Sequence, residues 1–153
     1  MKILVTRPLA DGTRTCARLE RAGHHPVLAP VTEIVGTGAA CPEGSFDAIL
    51  ISSANAVRMM TEADRERFHK VPVFCVGEKT AKIARDAGFQ SVVTGNGDGR
   101  ALVERVTATL TPPAKLLYLT GTPRKPFIEE GLKQTGFALT VVELYETRAV
   151  DHW

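Results

Sequence analysis

Short apolar runs alternate along this chain with longer segments whose apolar positions recur at helical spacing. The runs are Lys2–Val5, Pro26–Ala29, Asp47–Ile51, Val73–Val76, Ser91–Val93, Lys115–Leu119 and Leu139–Val142. Several hold Val, Ile and Leu without polar alternation, as strands covered on both faces do. Between them, Thr13–Ala22 carries Cys16, Ala17 and Leu19 among charged residues. Ala54–Phe68 offers Val57, Met60 and Phe68 as inward positions, and Lys79–Ala87 offers Ile83, Ala84 and Ala87. Ala101–Leu110 carries Leu102, Val103, Val106 and Leu110, and Phe127–Gln134 carries Phe127, Ile128 and Leu132. Gly23, Gly88 and Gly136 follow three of these helices, where a residue of positive φ ends a helix. A strand follows each one (GHHPVLA, GFQSVV, GFALTVV). Helix, glycine and strand in repetition mark βα units, and right-handed crossovers make their sheet parallel.

The pattern predicts an α/β protein with a flavodoxin-like parallel sheet and helices on both faces. One complete five-stranded domain spans residues 46–143, and an incomplete β-α-β unit of a second domain occupies residues 1–30. Val31–Ser45 (VTEIVGTGAACPEGS) interrupts the rhythm with Gly, Ala, Cys and Pro and reads as an interdomain linker. The tail 144–153 leaves the last strand. Two strands and one helix rarely stand alone. The opening unit is therefore expected to find partners, later in a longer chain or by self-association with a second copy.

Composition narrows the function classes. The net charge of +2, from 19 Lys+Arg against 17 Asp+Glu, gives no global signal for nucleic acid or membrane binding. No apolar stretch reaches the length of a membrane span, and MKILVTRP lacks a signal-peptide pattern, so the cytoplasm is the expected compartment. Cys16, Cys41 and Cys75 have neither the spacing of a zinc site nor that of a disulfide framework. Cys75 lies in an apolar run and reads as a core thiol. Cys41, in a loop, is open to reactivity but is better read as structural. His24-His25 sits at a turn without acidic or Cys partners, and His69 and His152 are isolated, so no metal is expected.

The chemistry collects where strands end. Ser52-Ser53-Ala54-Asn55, Gly77-Glu78-Lys79-Thr80, Thr94-Gly95-Asn96-Gly97-Asp98-Gly99 and Thr120-Gly121-Thr122-Pro123 follow four strands of the longer segment. Thr6-Arg7-Pro8 follows the first strand of the chain. Parallel strands bring the loops of one sheet to one edge. Glycine lets backbone approach a ligand, and helix N-termini offer N–H groups to anions. With Arg7, Lys79, Arg124 and Lys125 nearby, the set suits a polycarboxylate or phosphate ligand. Ser53 and Thr80 equally suit helix capping, and the basic residues equally suit solvated faces. Gly95–Gly99 (GNGDG) is not the dinucleotide fingerprint, and neither a phosphate-binding GxxxxGK[ST] nor a GxSxG nucleophile elbow is present.

Taken in order, ILVTRP at 3–8, FDAILISSANAV at 46–57, VFCVGEKTAKIARDAGF at 73–89, VVTGNGDGRALVERV at 92–106, LLYLTGTPRK at 116–125 and VVELYETRAV at 141–150 resemble uroporphyrinogen-III synthase. The resemblance implies two flavodoxin-like domains joined by a two-stranded linker. The first domain is discontinuous: its opening unit is residues 1–30, 31–45 leads outward, and 144–153 is the return linker. The chain would then stop short of completing that domain. The implied reaction is cyclisation of the linear tetrapyrrole hydroxymethylbilane, with inversion of its last pyrrole ring, loss of water and no cofactor. The implied partner is that small polycarboxylate, not nucleic acid or membrane. Tyr145 matches the family's linker tyrosine, a candidate to assist the leaving hydroxyl and equally an aromatic packing at the hinge. Thr80 and Ser53 match polar positions facing the cleft. Gly77, Gly95 and Gly121 would present backbone N–H groups to carboxylates, and Arg7 would contribute from the incomplete domain.

Overall fold

The computed structural model describes residues 1–151; His152 and the end of the tail lie outside the described residues. In chain order the elements are β1 (Lys2–Val5), α1 (Leu9–Arg21), β2 (His25–Leu28), β3 (Thr32–Gly36), β4 (Ala48–Ile51), α2 (Ala54–Met59), α3 (Glu62–Phe68) and β5 (Val73–Cys75). They continue with α4 (Glu78–Asp86), β6 (Val92–Thr94), α5 (Gly99–Thr109), β7 (Lys115–Thr122), α6 (Phe127–Gln134) and β8 (Ala138–Ala149). The chain forms two compact units. Met1–Val35 with the residues from Glu146 onward makes one, and Gly36–Tyr145 makes the other.

Three helices end in the same way. Gly23, Gly88 and Gly136 have φ of 83°, 102° and 90°. At the first, Gly23 N–H donates to Glu20 O (2.9 Å) and His24 N–H to Leu19 O (3.0 Å). Arg85 and Ala84 receive the equivalent bonds after α4, and Lys133 and Leu132 after α6. These paired bonds are the Schellman motif, and the left-handed residue it needs is why glycine recurs there.

In the Gly36–Tyr145 unit, β4 runs parallel to β5 and to β7, and β5 parallel to β6. β8 follows β7 in the same direction, as the Ala138 N–H bond to Ala114 O (3.0 Å) near their start and the Gly121–Tyr145 contact farther along require. The sheet order is β3-β8-β7-β4-β5-β6. Counted along the chain, the five parallel strands stand 3-2-1-4-5. The parallel strands and two helical layers are those expected, but the order is not the 2-1-3-4-5 of flavodoxin itself. Strand alternation divides the core in two. Ile49, Ile51, Val73, Cys75, Leu117 and Leu119 face Ala56, Val57, Ala81 and Ala84 of α2 and α4. Leu50, Phe74, Leu116 and Tyr118 face Leu102 and Val106 of α5 and Ile128 and Leu132 of α6.

Several expectations change, among them the end of the last strand, since β8 runs on to Ala149. The single helix predicted over Ala54–Phe68 is two helices, because Met60 turns extended (ψ 142°) and the Thr61 side chain caps α3 by accepting from Asp64 N–H at 3.1 Å. Val31–Ser45 is not without regular structure. It contains β3, paired with β8 in an antiparallel sense: Val150 N–H reaches Val31 O and Thr37 N–H reaches Leu144 O, both at 3.0 Å. Its second half is fastened to α3, where Asp64 accepts from Cys41 N–H (3.0 Å) and Arg67 donates to Pro42 O (2.8 Å). Finally, Phe127 and Ala17 are exposed rather than inward.

In the other unit β1 and β2 pair in parallel, with Leu4 opposite Val27. α1 begins at Leu9, earlier than predicted, and lies close over the sheet at Gly12, where any side chain would collide with Leu28. Among the described residues no helix is long and apolar enough to cross a membrane.

Candidate functional site

Strands β4, β5, β6 and β7 are aligned so that Ile51 lies beside Cys75 and Leu119, and Cys75 beside Thr94. The loops after them therefore share one edge of the sheet. Ser53 is the N-cap of α2 and accepts from Asn55 N–H at 3.2 Å. Gly77 is the N-cap of α4. Thr80 is not a cap; it is buried in the first turn of that helix. Gly95 does not offer its N–H to a ligand, because that group donates to Cys75 O at 2.8 Å. Its bare Cα instead admits the start of α5: a side chain there would lie 3.2 Å from Leu102 N and from Val76 O. Gly121 lies within β7, and the Tyr145 ring covers the space its side chain would fill. Tyr145 itself is half-buried and packs against the core under α2 and α4. Arg7 belongs to the first unit, where it donates to Thr15 Oγ1 (3.0 Å) and pairs with Asp11 (3.7 Å).

The same edge holds a further feature, part of whose lining (Ser52, Gly97, Asp98, Gly99, Arg124 and Lys125) belongs to the strand-end chemistry that the sequence marked. On the α5–α6 face a cleft of about 560 Å³ opens between the ends of β4 and β7 and the first turns of α5 and α6. The order of strands reverses between β4 and β7, the place where open α/β sheets bind ligands. Ser52, Val76, Tyr118, Phe127 and Ile128 line it, together with Arg100 and Lys125. Asp98, also in the lining, is spent on capping α5, accepting from Ala101 N–H at 2.8 Å. Arg124 is not the solvated residue that its position in the sequence suggests. It donates to Glu129 (2.6 Å), Glu143 (2.8 Å) and Gly121 O (3.3 Å), and the Glu129 hydrogen bond leads in raising its pKa further. It holds the β7–α6 loop in place and brings no unneutralised charge. Tyr118 was hidden because it sits within LLYLT, a run that reads as core strand.

The buried thiols are inert. Burial, followed by the charge of Asp64, pushes Cys41 up to about 12, and burial pushes Cys75 to about 12. Neither supplies a thiolate near neutral pH.

Comparison with known proteins bears on what the edge serves. No curated protein matches the sequence at a significant level. Residues 14–153 match the family model described as uroporphyrinogen-III synthase HemD. The fold is similar to that of a mutant uroporphyrinogen III synthase from Thermus thermophilus, with a TM-score of 0.69 and 18% identity over 98% of this chain and 64% of that one. It is equally similar to uroporphyrinogen-III synthetase from Helicobacter pylori, with a TM-score of 0.69 and 16% identity over 99% of this chain and 63% of that one. The chain thus spans a little under two thirds of the length of these relatives. The match over nearly its whole length makes this chain a member of the uroporphyrinogen-III synthase family.

Proposed function

We propose that this protein acts as a lyase in tetrapyrrole and haem biosynthesis, in the cytoplasm. It would close hydroxymethylbilane to uroporphyrinogen III, inverting the last pyrrole ring, with loss of water and without a cofactor. The observation that carries this reading is the family match over residues 14–153. The local geometry agrees with it. Tyr145 stands on Gly121 in β7, and the loops at the strand ends of this unit carry hydroxyls and helix N-termini that suit a polyanion. Residues 31–45 and the segment from 144 onward serve in this reading as the two arms of an interdomain linker.

The chemistry asks little of an acid or base. Electron-rich pyrroles already push out the hydroxyl, so the protein's task is to hold a flexible polyanion with the intended ring carbon positioned to attack. Tyr145 donates a proton to the departing hydroxyl, which leaves as water. Ser53, Thr80, Gly77 and Gly121 orient carboxylate arms. The role expected of Gly95 passes to the packing of α5, since its N–H is engaged. Arg7 is assigned to carboxylate binding in the same reading.

The test is incubation with freshly prepared hydroxymethylbilane, followed by chromatographic separation of the isomers. The type III isomer is expected. Type I alone, at the uncatalysed rate, refutes the reading. A second reading, a non-catalytic tetrapyrrole-binding or oligomerising module, draws on Leu4 and Val27, adjacent across β1 and β2 and exposed. It requires binding of a uroporphyrinogen-like polycarboxylate without turnover, or mass growth with concentration in light scattering.

A further inference from the structure

Tyr145 is the last residue of the Gly36–Tyr145 unit. Within that unit its ring is fixed by what precedes it in β8 and by what lies beside it in β7. One side chain spans both places. Arg124 Nη1 donates to Gly121 O at 3.3 Å and to Glu143 Oε1 at 2.8 Å, and its Nε donates to Glu129 Oε1 at 2.6 Å. Gly121 is the residue under the Tyr145 ring, and Glu143 precedes Tyr145 by two positions in β8. A single guanidinium thus ties both supports of the tyrosine to the first turn of α6. Thr37 holds the same stretch of β8 independently. Its hydroxyl donates to Glu143 O (2.7 Å) and its N–H donates to Leu144 O (3.0 Å).

Stability does not account for this arrangement. Glu143 leaves 47% of its side chain exposed, and ion pairs at such positions add little to stability. The core of the unit is the fully buried set Ile49, Ile51, Leu117 and Leu119, which involves neither charge. What is specific is the geometry. A guanidinium is a planar fork whose donors keep fixed angles, which an ammonium does not reproduce. The Gly121 carbonyl and the two carboxylates are therefore held in fixed relation to one another, and two of the three belong to the strands that carry the Gly121–Tyr145 pair.

The geometry points to Arg124 and Glu143 as positioning residues for Tyr145, which together set where its ring stands over Gly121. Their effect on rate rests on the role proposed above for the Tyr145 hydroxyl; their effect on the place of the ring does not. A proton donor has to lie within hydrogen-bond reach of the departing group. A shifted ring therefore slows the chemical step and leaves substrate affinity as it was.

The experiment uses the full chain. It has two tyrosines, Tyr118 and Tyr145, so ring-labelled tyrosine gives two sets of NMR signals, assigned with Tyr145→Phe. Tyr118, packed in the core under α5 and α6, is the internal reference. Glu143→Ala should move the Tyr145 signals and leave those of Tyr118 in place, with the melting temperature close to the parent's. Arg124→Lys, which keeps the charge and loses the fork, should move Tyr145 as well. Glu143→Gln keeps an acceptor for Arg124 and should move it less. A stationary Tyr145 ring overturns the proposal. Equal movement of both rings in Glu143→Ala signals general loosening and overturns it too.

With hydroxymethylbilane, Glu143→Ala should lower kcat by about tenfold at unchanged KM, within the roughly 10²-fold that a misplacement of about an ångström can cost. Glu143→Gln should recover most of that loss. In the Tyr145→Phe background the loss should vanish, because two changes that act through one group do not add. Losses that multiply in full, or a raised KM with kcat intact, overturn the proposal. The two readings fail separately. A protein that forms no type III isomer and still moves its Tyr145 ring keeps the positioning pair and loses the reaction. One that forms the isomer while the ring stays still keeps the reaction and loses the pair.

Discussion

At the scale of single residues, Gly121 and Tyr145 form a pair whose chemistry can be tested from either side. The ring occupies the place of the missing side chain, so Gly121→Ala must push it off the strand edge. Overpacking of this kind costs about 1–3 kcal/mol, a loss that a thermal melt will read. If Tyr145 serves the reaction, displacement by about an ångström should also lower kcat by about 10²-fold. Tyr145→Phe, which keeps the packing and removes the hydroxyl, should lower kcat toward the lower end of the general-acid range, about 10²-fold, with the melting temperature little changed. A stability loss in the first variant without a kcat loss in the second would assign the ring to packing alone. The thiols make a pH prediction. Burial raises Cys41 and Cys75 from 9.0 to about 12. Above pH 9.0 the unfolded chain sheds protons that the native protein keeps, so stability is full below that value and declines as pH rises toward 12. Urea midpoints measured from pH 8 to pH 11 should fall, and Cys75→Ala should fall less steeply than the parent. Equal slopes would contradict the assignment. The burial of Cys75 was readable from its apolar run, whereas that of Cys41 was not, because it depends on a loop folded back onto Asp64.

At the scale of elements, the α2–α3 break shows where periodicity stops being informative. Val57, Met60 and Phe68 are all buried, as a continuous helical stripe predicts, and the chain still turns at Met60. The local signal was Thr61 three residues before Asp64, a side chain able to satisfy a free helical N–H. Thr61→Ala should cost about 1 kcal/mol. Asp64→Ala should cost more, about 1–3 kcal/mol, since it leaves the Cys41 N–H without its acceptor and removes one of the partners of Arg67. Chemical denaturation gives both values, and an Asp64→Ala loss no larger than that of Thr61→Ala would mean the loop is not held by this contact. The helix–glycine–strand punctuation was legible because each glycine answers a local backbone demand. The cleft was not, because it is assembled from residues distant in sequence: Ser52 and Thr120 meet only when β4 and β7 become neighbours.

At the scale of the whole molecule, the distribution of burial predicts unequal stability. In the Gly36–Tyr145 unit both faces of the sheet are covered, and Ile49, Ile51, Leu117 and Leu119 are fully buried. In the other unit only Val5 and Gly12 are buried among the described residues, while Leu4 and Val27 stay more than half exposed. The alternation of β1 explains the difference. Val5 turns toward α1 and Leu4 turns away, and a parallel sheet is ordinarily covered on both sides. Local opening free energy follows buried apolar contact, so the amides of Ile3–Val5 should exchange with solvent well before those of Ile49–Ile51 and Leu117–Leu119. The run ILV at the start of the chain reads much like AILI in β4, and composition alone would rank the two strands alike. Native-state hydrogen exchange decides between them. Protection that is equal in β1 and β4 under dilute conditions would mean that the first unit gains its stability from a covering partner. In that case protection at Leu4 and Val27 should fall on dilution, while protection in β4 and β7 stays constant.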